Sequence, residues 1–348
     1  PFPSQPDPAR PLRPKHYRVK RHMSRAKSFV KRNEGILLLA VAQLFFSTMN
    51  FFYKLINLLP PEESKAVTAL EIIFIRMSIT WIGCIGFMLA AGVPDPFLGP
   101  KEVRRLLALR GFVGFFGLFG LYYSLQYLSL ADATVITFLG PMATGLLGFV
   151  VLREPFTARE ALGGIVSLSG VVMIARPAFI FGRDAADSDL DVPPHDGGLE
   201  PQGVTEQQRL FAVGLALLGV CGGAGAYITI RAIGRRASAT HSVAYFSLYS
   251  TLVSAILMWF TGTEFVLPKN PKWVALLICV GVFGLAAQIL LAMGLQREKA
   301  GRAVSVTYLQ IVYASIYQLV FLHIPIQPLS ALGMTVILLA AGWVAAGK

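Results

Sequence analysis

Residues 125–139, LQYLSLADATVITFL, return in altered form at residues 295–309, LQREKAGRAVSVTYL. The match continues without a gap, so residues 125–175 align on residues 295–345 at a constant offset of 170. Apolar sequences often match by chance, so the other identities carry most weight. They are Gln126/Gln296, Thr137/Thr307, Pro155/Pro325 and Gly163/Gly333. The repeat indicates a chain built from two related halves.

Composition places the chain among membrane proteins. It has 348 residues, of which 55% are hydrophobic and 14% are charged, and its mean hydropathy is +0.61. Soluble domains carry about 25% charged residues, and a membrane-spanning helix needs about 20 apolar ones. Ten segments meet that requirement: 35–56, 67–91, 108–128, 132–152, 158–176, 210–230, 241–261, 273–294, 303–322 and 327–346. We therefore predict an all-α integral membrane protein with ten transmembrane helices.

The two halves are expected to have opposite orientations in the membrane. Five spans are an odd number, so a second copy of a five-span unit enters the membrane upside down. This predicts two inverted five-helix repeats, residues 35–176 and 209–346. A basic cytoplasmic tail, 1–34, precedes them, and an acidic loop predicted to be disordered and non-cytoplasmic, 177–208, separates them.

The net charge of +12 is concentrated near the N-terminus. A polybasic segment beside the first span is typical of binding to anionic lipids in the cytoplasmic leaflet rather than to nucleic acid. The excess of Lys and Arg on one side of the predicted spans places both termini in the cytoplasm. The span lengths fit the plasma membrane and the internal ER, Golgi or vacuolar membranes equally well. A second copy of the chain is a further candidate partner.

Three ionisable residues stand out within the predicted spans. Ionisable groups in a membrane are costly and usually face a partner or a cavity. Lys54 lies near the outer end of the first span, whereas Glu71 and Arg76 lie in the second span and on different faces of it. A Lys54–Glu71 pair is the simplest arrangement. The alternatives left open are a structural ion pair with a snorkelling Lys54, and a gate or an anion-attracting charge at Arg76.

The ninth span carries a polar stripe. Thr307, Gln310 and Tyr317 follow helical spacing on one face, and Tyr313 widens it. Lipid would penalise such a face, so it either lines a substrate cavity or makes interhelical hydrogen bonds. The other polar residues assigned to the substrate cavity are Asn50, Gln126 and Gln296.

Motifs for catalysis are missing from the sequence. It has no paired-carboxylate site, G-x-S-x-G, nucleotide-binding loop or metal-ligand spacing. The three cysteines lie inside predicted spans and have neither metal nor disulfide spacing. We therefore expect no enzymatic activity, no cofactor and no bound metal.

Short motifs of the first half resemble the repeat unit of EamA transporters in the drug/metabolite transporter superfamily. They are Ala131-Asp132-Ala133-Thr134, Arg153-Glu154-Pro155-Phe156-Thr157, Ala161-Leu162-Gly163-Gly164 and Phe74-x-Arg76. The resemblance covers about residues 35–346 in two units. The second unit departs from the pattern, because Ile324 stands in place of Glu154 and Ser250 falls near the equivalent of Arg76. The resemblance implies ten helices, cytoplasmic termini and alternating access around a central cavity.

Together these features predict a secondary transporter that moves a small organic metabolite. Nucleotide sugars are the second substrate class, although their two phosphates usually need several cationic partners. A scaffold or regulator that keeps the carrier fold without transporting is the alternative from another class. A polar cavity distinguishes the two, because a scaffold does not need one.

Overall fold

The computed structural model describes residues 33–57, 69–124, 127–128, 130–176, 180, 206–263, 265, 270–323 and 325–346. Most of the predicted basic tail, most of the predicted acidic loop and Gln126 lie outside these residues. Among the described residues the regular secondary structure is helical throughout, as the sequence predicted.

The helices of the first half follow the predicted spans. They are α1 (Glu34–Asn57), α2 (Ala69–Ala90), α3 (Arg104–Ser124), α4a (Leu130–Thr137), α4b (Gly140–Leu152) and α5 (Ala158–Ala175). α4a and α4b together occupy the fourth predicted span, which is therefore an interrupted helix. A capping box fixes the start of α5, where the Thr157 side chain accepts from the Glu160 amide and the Glu160 side chain accepts from the Thr157 amide.

The second half repeats this arrangement. Its helices are α6 (Glu206–Ile233), α7 (Ala239–Thr261), α8 (Pro271–Arg297), α9a (Ala300–Ser305), α9b (Leu309–Leu322) and α10 (Pro328–Ala346). The offset of 170 relates the starts of α2 and α7, of α4a and α9a, and of α5 and α10. Arg153 and His323, which follow α4b and α9b, share a left-handed backbone with φ of 54°. The repeat therefore extends from α2 to α5, well beyond the segment in which sequence identity revealed it.

The helices are suited to a membrane. Eight helical segments in the described part of the chain are long and apolar enough to cross one, and α9b is a shorter apolar helix. Large apolar side chains also cover the outside of the bundle, for example Trp259, Phe260 and Leu339, which are 78%, 76% and 70% exposed. Apolar surface on this scale is expected where lipid replaces water as the solvent.

Contacts at one end of the bundle show that the halves are inverted. α1 begins where α8 ends, since Glu34 Oε1 lies 3.1 Å from Arg297 Nε. α6, the equivalent of α1, ends at the same place, because Arg231 in its last turn donates to the Gln296 carbonyl at 3.3 Å. One half therefore starts at the end of the bundle where the first helix of the other half finishes. We call it the Glu154 end, after the residue that follows α4b there.

Helix packing follows a pseudo-two-fold axis. α1 packs on α8 as α6 packs on α3, whereas α2 packs on α7 and α5 packs on α10. Exchanging the halves converts each of these pairs into another pair or into itself. α5 and α10 come into close contact, since a Cβ on Gly170 would lie 2.7 Å from the Gly333 carbonyl oxygen and one on Gly333 would lie 2.6 Å from the Gly170 carbonyl oxygen. Glycine at both positions allows the two backbones to meet.

Candidate functional site

The two helix interruptions face each other on the pseudo-two-fold axis. The Tyr308 hydroxyl, in the turn between α9a and α9b, donates to the carbonyl of Phe138 at 3.2 Å. Phe138 lies in the turn between α4a and α4b, and the two rings stack with their centroids 5.8 Å apart. The offset of 170 makes these two residues equivalent, so a contact between them places them on the axis. Interrupted helices at corresponding positions of two halves are typical of transporter binding sites.

Each interruption is visible in the backbone hydrogen bonding. Pro141 is among the first residues of α4b and lacks the amide that would bond to the Thr137 carbonyl. In the second half, the amides of Leu309, Gln310 and Ile311 each bond to the carbonyl three residues earlier, at 3.1 to 3.3 Å. These bonds form a 3₁₀ turn, which within a helix often marks a hinge.

α9b meets α1 at the Gln310 carbonyl and at the Tyr317 side chain. Ser47 donates its hydroxyl to the Gln310 carbonyl at 2.7 Å, and the hydroxyls of Thr48 and Tyr317 lie 2.7 Å apart. Thr307 is buried, whereas the side chains of Gln310, Tyr313 and Tyr317 are half-buried. For Tyr317 the structure therefore contains an interhelical hydrogen bond, one of the two alternatives that the sequence left open. Thr307 and Gln310 flank the interruption on the axis.

An aromatic cluster closes the α1–α9b contact at the end opposite the Glu154 end. Phe51 stacks on Tyr317 with ring centroids 5.4 Å apart and lies 5.2 Å from Phe321. Tyr317 and Phe321 stack at 5.6 Å. We call Phe51, Tyr317 and Phe321, together with Thr48, the aromatic contact.

At the Glu154 end a polar cluster joins the two halves. Glu154 Oε1 accepts from Arg231 Nε at 2.7 Å, and Glu154 Oε2 accepts from the Ala300 amide, at the start of α9a, at 2.9 Å. Arg231 also donates to the Gln296 carbonyl, while Gln296 Nε2 donates to the Ala237 carbonyl at 3.2 Å. A single carboxylate thus ties α4b of the first half to α6 and α9a of the second. We call Glu154, Arg231, Gln296 and Ala300 the Glu154 clamp.

The remaining predicted site residues are placed at several depths. Asn50 is exposed, and the Gln126 prediction falls outside the described residues. Gln296 belongs to the Glu154 clamp rather than to the region of the interruptions. Glu71 and Arg76 are buried, at 0% and 7% exposure, and Lys54 is half-buried. The substrate-cavity and gating roles of all these residues stay predictions.

A separate depression lies between α2 and α7. It has a volume of about 230 Å³ and is lined mostly by apolar side chains, among them Phe74, Met258 and Trp259. The polar stripe contributes none of its lining. Among the described residues, no three His, Cys, Asp or Glu side chains form a group that could hold a metal ion.

The Glu154 clamp has no signature in the sequence patterns described above. Glu154 stood out in the sequence only as part of a motif, and no motif included Arg231. Their separation of 77 residues hid the contact. The available signal was the asymmetry of the repeat, because a carboxylate present in one half and replaced by Ile324 in the other has a role that is not repeated.

Comparisons with known proteins agree with this architecture. The model of the EamA-like transporter family matches residues 33–176 and 210–346. The chain is 42% identical over 323 residues to the Saccharomyces cerevisiae protein named "Probable transport protein YPL264C", covering 92% of this chain and 90% of the relative. It is 30% identical over 280 residues to human solute carrier family 35 member G1, covering 80% of this chain and 72% of the relative.

More distant relatives share the fold. The pseudopaline exporter CntI of Pseudomonas aeruginosa is 27% identical over 279 residues, covering 80% of this chain and 84% of the relative. A solved crystal structure superposes with a TM-score of 0.69 at 18% identity and covers 90% of this chain and 99% of that one. The family model covers both halves, each with its interrupted helix. The chain belongs to the EamA-like transporter family.

Proposed function

We propose that the protein is a secondary transporter that moves a small organic metabolite by alternating access. The observation that carries this proposal is the pair of equivalent helix interruptions on the pseudo-two-fold axis. Inverted halves can exchange conformations, so inward-open and outward-open states of similar energy follow from the architecture. The interruptions supply polar backbone and side chains, including Thr307 and Gln310, at the place where both states would hold the solute.

The distribution of charge supports an orientation with the Glu154 end in the cytoplasm. That end carries Arg153, Arg159, Arg235 and Arg236 beside the helix ends. Short loops on the cytoplasmic side of membrane proteins are rich in Lys and Arg. α1 begins and α10 finishes at this end, so both termini are assigned to the cytoplasm.

The two contacts between the halves would act as gates. The Glu154 clamp would close the cytoplasmic side, and the aromatic contact would close the opposite side. In each, the contacts are made by side chains on at least one side, so that they can separate without breaking a helix. Both are formed in the structure, which fits an occluded state between the two open ones.

Solute counterflow into proteoliposomes tests the proposal. The full chain is reconstituted with amino acids, nucleosides, nucleotide sugars, sugars or organic acids inside, and uptake of the same labelled class is measured. We expect one class to exchange. Gln310→Ala should slow that exchange about tenfold, the equivalent of one lost hydrogen bond. Gln318→Ala is the matched control, because Gln318 lies on the same helix but is exposed.

The outcomes separate a carrier from a scaffold. Exchange of one class that is sensitive to Gln310→Ala and insensitive to Gln318→Ala supports a carrier with its site at the α9 interruption. Folded protein that exchanges none of the classes contradicts transport and favours the scaffold.

A further inference from the structure

Arg110 is a buried cation inside the membrane bundle. It is the seventh residue of α3, about 9 Å along the helix from its start at the Glu154 end. Its side chain is only 3% exposed. A buried guanidinium is costly in a membrane, and such residues commonly mark the path of a substrate or an ion.

The Arg110 side chain extends toward the middle of the bundle. Helical side chains lean toward the N-terminus of their helix, and an arginine near a membrane surface normally extends its charge toward water. For Arg110 both tendencies point to the Glu154 end. Instead, its guanidinium lies beside Gly114, one turn deeper, where a Cβ would overlap Arg110 Nη1. Glycine at position 114 leaves room for this inward conformation.

The contacts of the Arg110 guanidinium leave part of its hydrogen-bonding capacity unused. Its central carbon lies 4.3 Å from the centre of the Phe246 ring on α7. Nε and Nη1 are buried and have no hydrogen-bond partner among the described residues. An aromatic face stabilises a cation but does not satisfy its N–H groups.

The inverted repeat contains a second guanidinium at the equivalent place. The offset of 170 relates Gly114 to Gly284 and Phe246 to Arg76, one turn before the Ser250 that the sequence suggested. Arg76 borders Gly284 as Phe246 borders Gly114, since a Cβ on Gly284 would lie 3.4 Å from Arg76 Nε and one on Gly114 would lie 2.7 Å from the Phe246 ring. The two sites therefore correspond in structure.

The cation at the two sites comes from different helices. In the Arg76 site, α2 supplies the arginine, and α8 carries Val280 at the position equivalent to Arg110. In the Arg110 site, α3 supplies the arginine, and α7 carries Phe246 at the position equivalent to Arg76. The arginine therefore comes from α2 in one site and from α3, the equivalent of α8, in the other. Each site still contains one guanidinium. The sites lie near opposite ends of the bundle, because α2 and α3 begin at opposite ends.

We propose that Arg110 is an anion-binding residue of the transport site that takes a carboxylate or phosphate group of the solute entering from the Glu154 end. This inference rests on the proposed transport function and assigns organic anions as its substrate class. A guanidinium with free, forked N–H donors suits bidentate binding of either group. Arg76 holds the equivalent place on the path from the other end.

Ligand-dependent thermal stability of the purified full chain tests the proposal. Unfolding is followed in succinate or glycerol 3-phosphate and compared with chloride at equal ionic strength. We expect saturable stabilisation by at least one anion. Arg110→Val should weaken binding about 30-fold or more, as expected for losing one side of a buried charged pair. Arg105→Val is the matched control, because Arg105 is exposed on the same helix.

A charge transfer between helices separates binding from a structural role. Arg110→Val combined with Phe246→Arg gives the Arg110 site the arrangement of the Arg76 site. The arginine then lies on α7, the equivalent of α2, and a valine lies opposite it on α3. We expect this double variant to recover most of the anion affinity that Arg110→Val loses. Packing around Phe246 alone would not predict recovery, because the aromatic ring is gone.

Several results would overturn the proposal. The first two are that the wild-type chain binds no anion, or that Arg110→Val binds the anion equally well. The third is that a folded double variant recovers no affinity. The fourth is that both variants fail to fold, which would make Arg110 a structural cation. Stabilisation that requires anionic phospholipid in the micelle would assign the site to a lipid headgroup and also count against it. Counterflow of a neutral solute that is unchanged in Arg110→Val would remove this inference only, whereas no counterflow at all would remove the transport proposal.

Discussion

The helix pairs α4b–α6 and α1–α9b are equivalent under the pseudo-two-fold axis but are held together by different chemistry. The first pair is held by the Glu154 clamp, in which the two charged side chains are 18% and 23% exposed. The second is held by the aromatic contact, with one hydrogen bond between Thr48 and Tyr317. The repeat thus conserves the backbone arrangement while the two closing contacts have diverged.

This divergence has an energetic consequence. An ion pair that opens must be rehydrated, and both its formation and its opening depend on charge and salt. Stacked rings gain about 0.5–1.5 kcal/mol for each pair beyond area burial, with little dependence on salt. The contacts at the two ends of the bundle can therefore be adjusted independently, although the halves are related by symmetry.

Charge reversal in the Glu154 clamp should have the largest effect. Arg231→Glu places a second carboxylate beside Glu154 and should destabilise the closed Glu154 end by about 3–5 kcal/mol. Labelling of Ser305→Cys by a thiol reagent should rise more than tenfold, because Ser305 is 3% exposed on α9a, which packs on α4b. Cys84, Cys221 and Cys279 are replaced by serine in this background.

The double reversal Glu154→Arg with Arg231→Glu should restore much of the protection. Glu298→Gln is the matched control, because Glu298 pairs with Arg302 at 2.9 Å within one half. Equal labelling of Ser305→Cys in all these variants would show that the clamp does not close this end.

Truncation within the aromatic contact should have the next largest effect, at the other end. Tyr317→Ala removes two ring contacts and one hydrogen bond, so it should destabilise the α1–α9b contact by about 2–3 kcal/mol. Labelling of Ser47→Cys, at a position 1% exposed, should rise while that of Ser305→Cys does not. A rise at both positions would mean that Tyr317→Ala loosens the whole bundle.

Removal of the hydroxyl alone should have the smallest effect. Tyr317→Phe keeps the rings but deletes the hydrogen bond to Thr48, which is expected to cost about 1 kcal/mol. Labelling of Ser47→Cys should therefore rise only about fivefold. Thr48→Val deletes the other partner of this hydrogen bond and should raise the labelling by a similar factor. Much larger increases in labelling would show that the aromatic contact is held mainly by the hydrogen bond.

The sequence predicted the fold more completely than the site. The offset of 170 and the odd number of spans in each half led to the inverted repeat, because covalent order and hydropathy determine both. The interruption of α9 could not be predicted, since Gln310 and Ile311 are ordinary helical residues. The turn holds Tyr308 against the carbonyl of Phe138, a tertiary contact that no local pattern contains.

The contacts of the polar side chains at the site could not be predicted from the sequence. The sequence showed that Tyr317 could not face lipid but gave no means to choose between a cavity and Thr48. It marked Lys54, Glu71 and Arg76 as intramembrane charges but passed over Arg110, which lies close enough to a predicted span end to be counted with the cytoplasmic charges. Only the direction of its side chain, past Gly114, reveals it as a buried cation.

Cross-linking the Glu154 clamp tests alternating access most directly. Glu154→Cys and Arg231→Cys are introduced together, joined by a short thiol cross-linker that a reductant can cleave, and solute counterflow is measured before cross-linking, after it and after cleavage. We predict that the cross-link stops exchange and that cleavage restores it, whereas the same treatment of Glu298→Cys with Arg302→Cys, within one half, leaves exchange unchanged. Exchange that continues while the two halves are held together at the Glu154 end would contradict transport by alternating opening of this clamp.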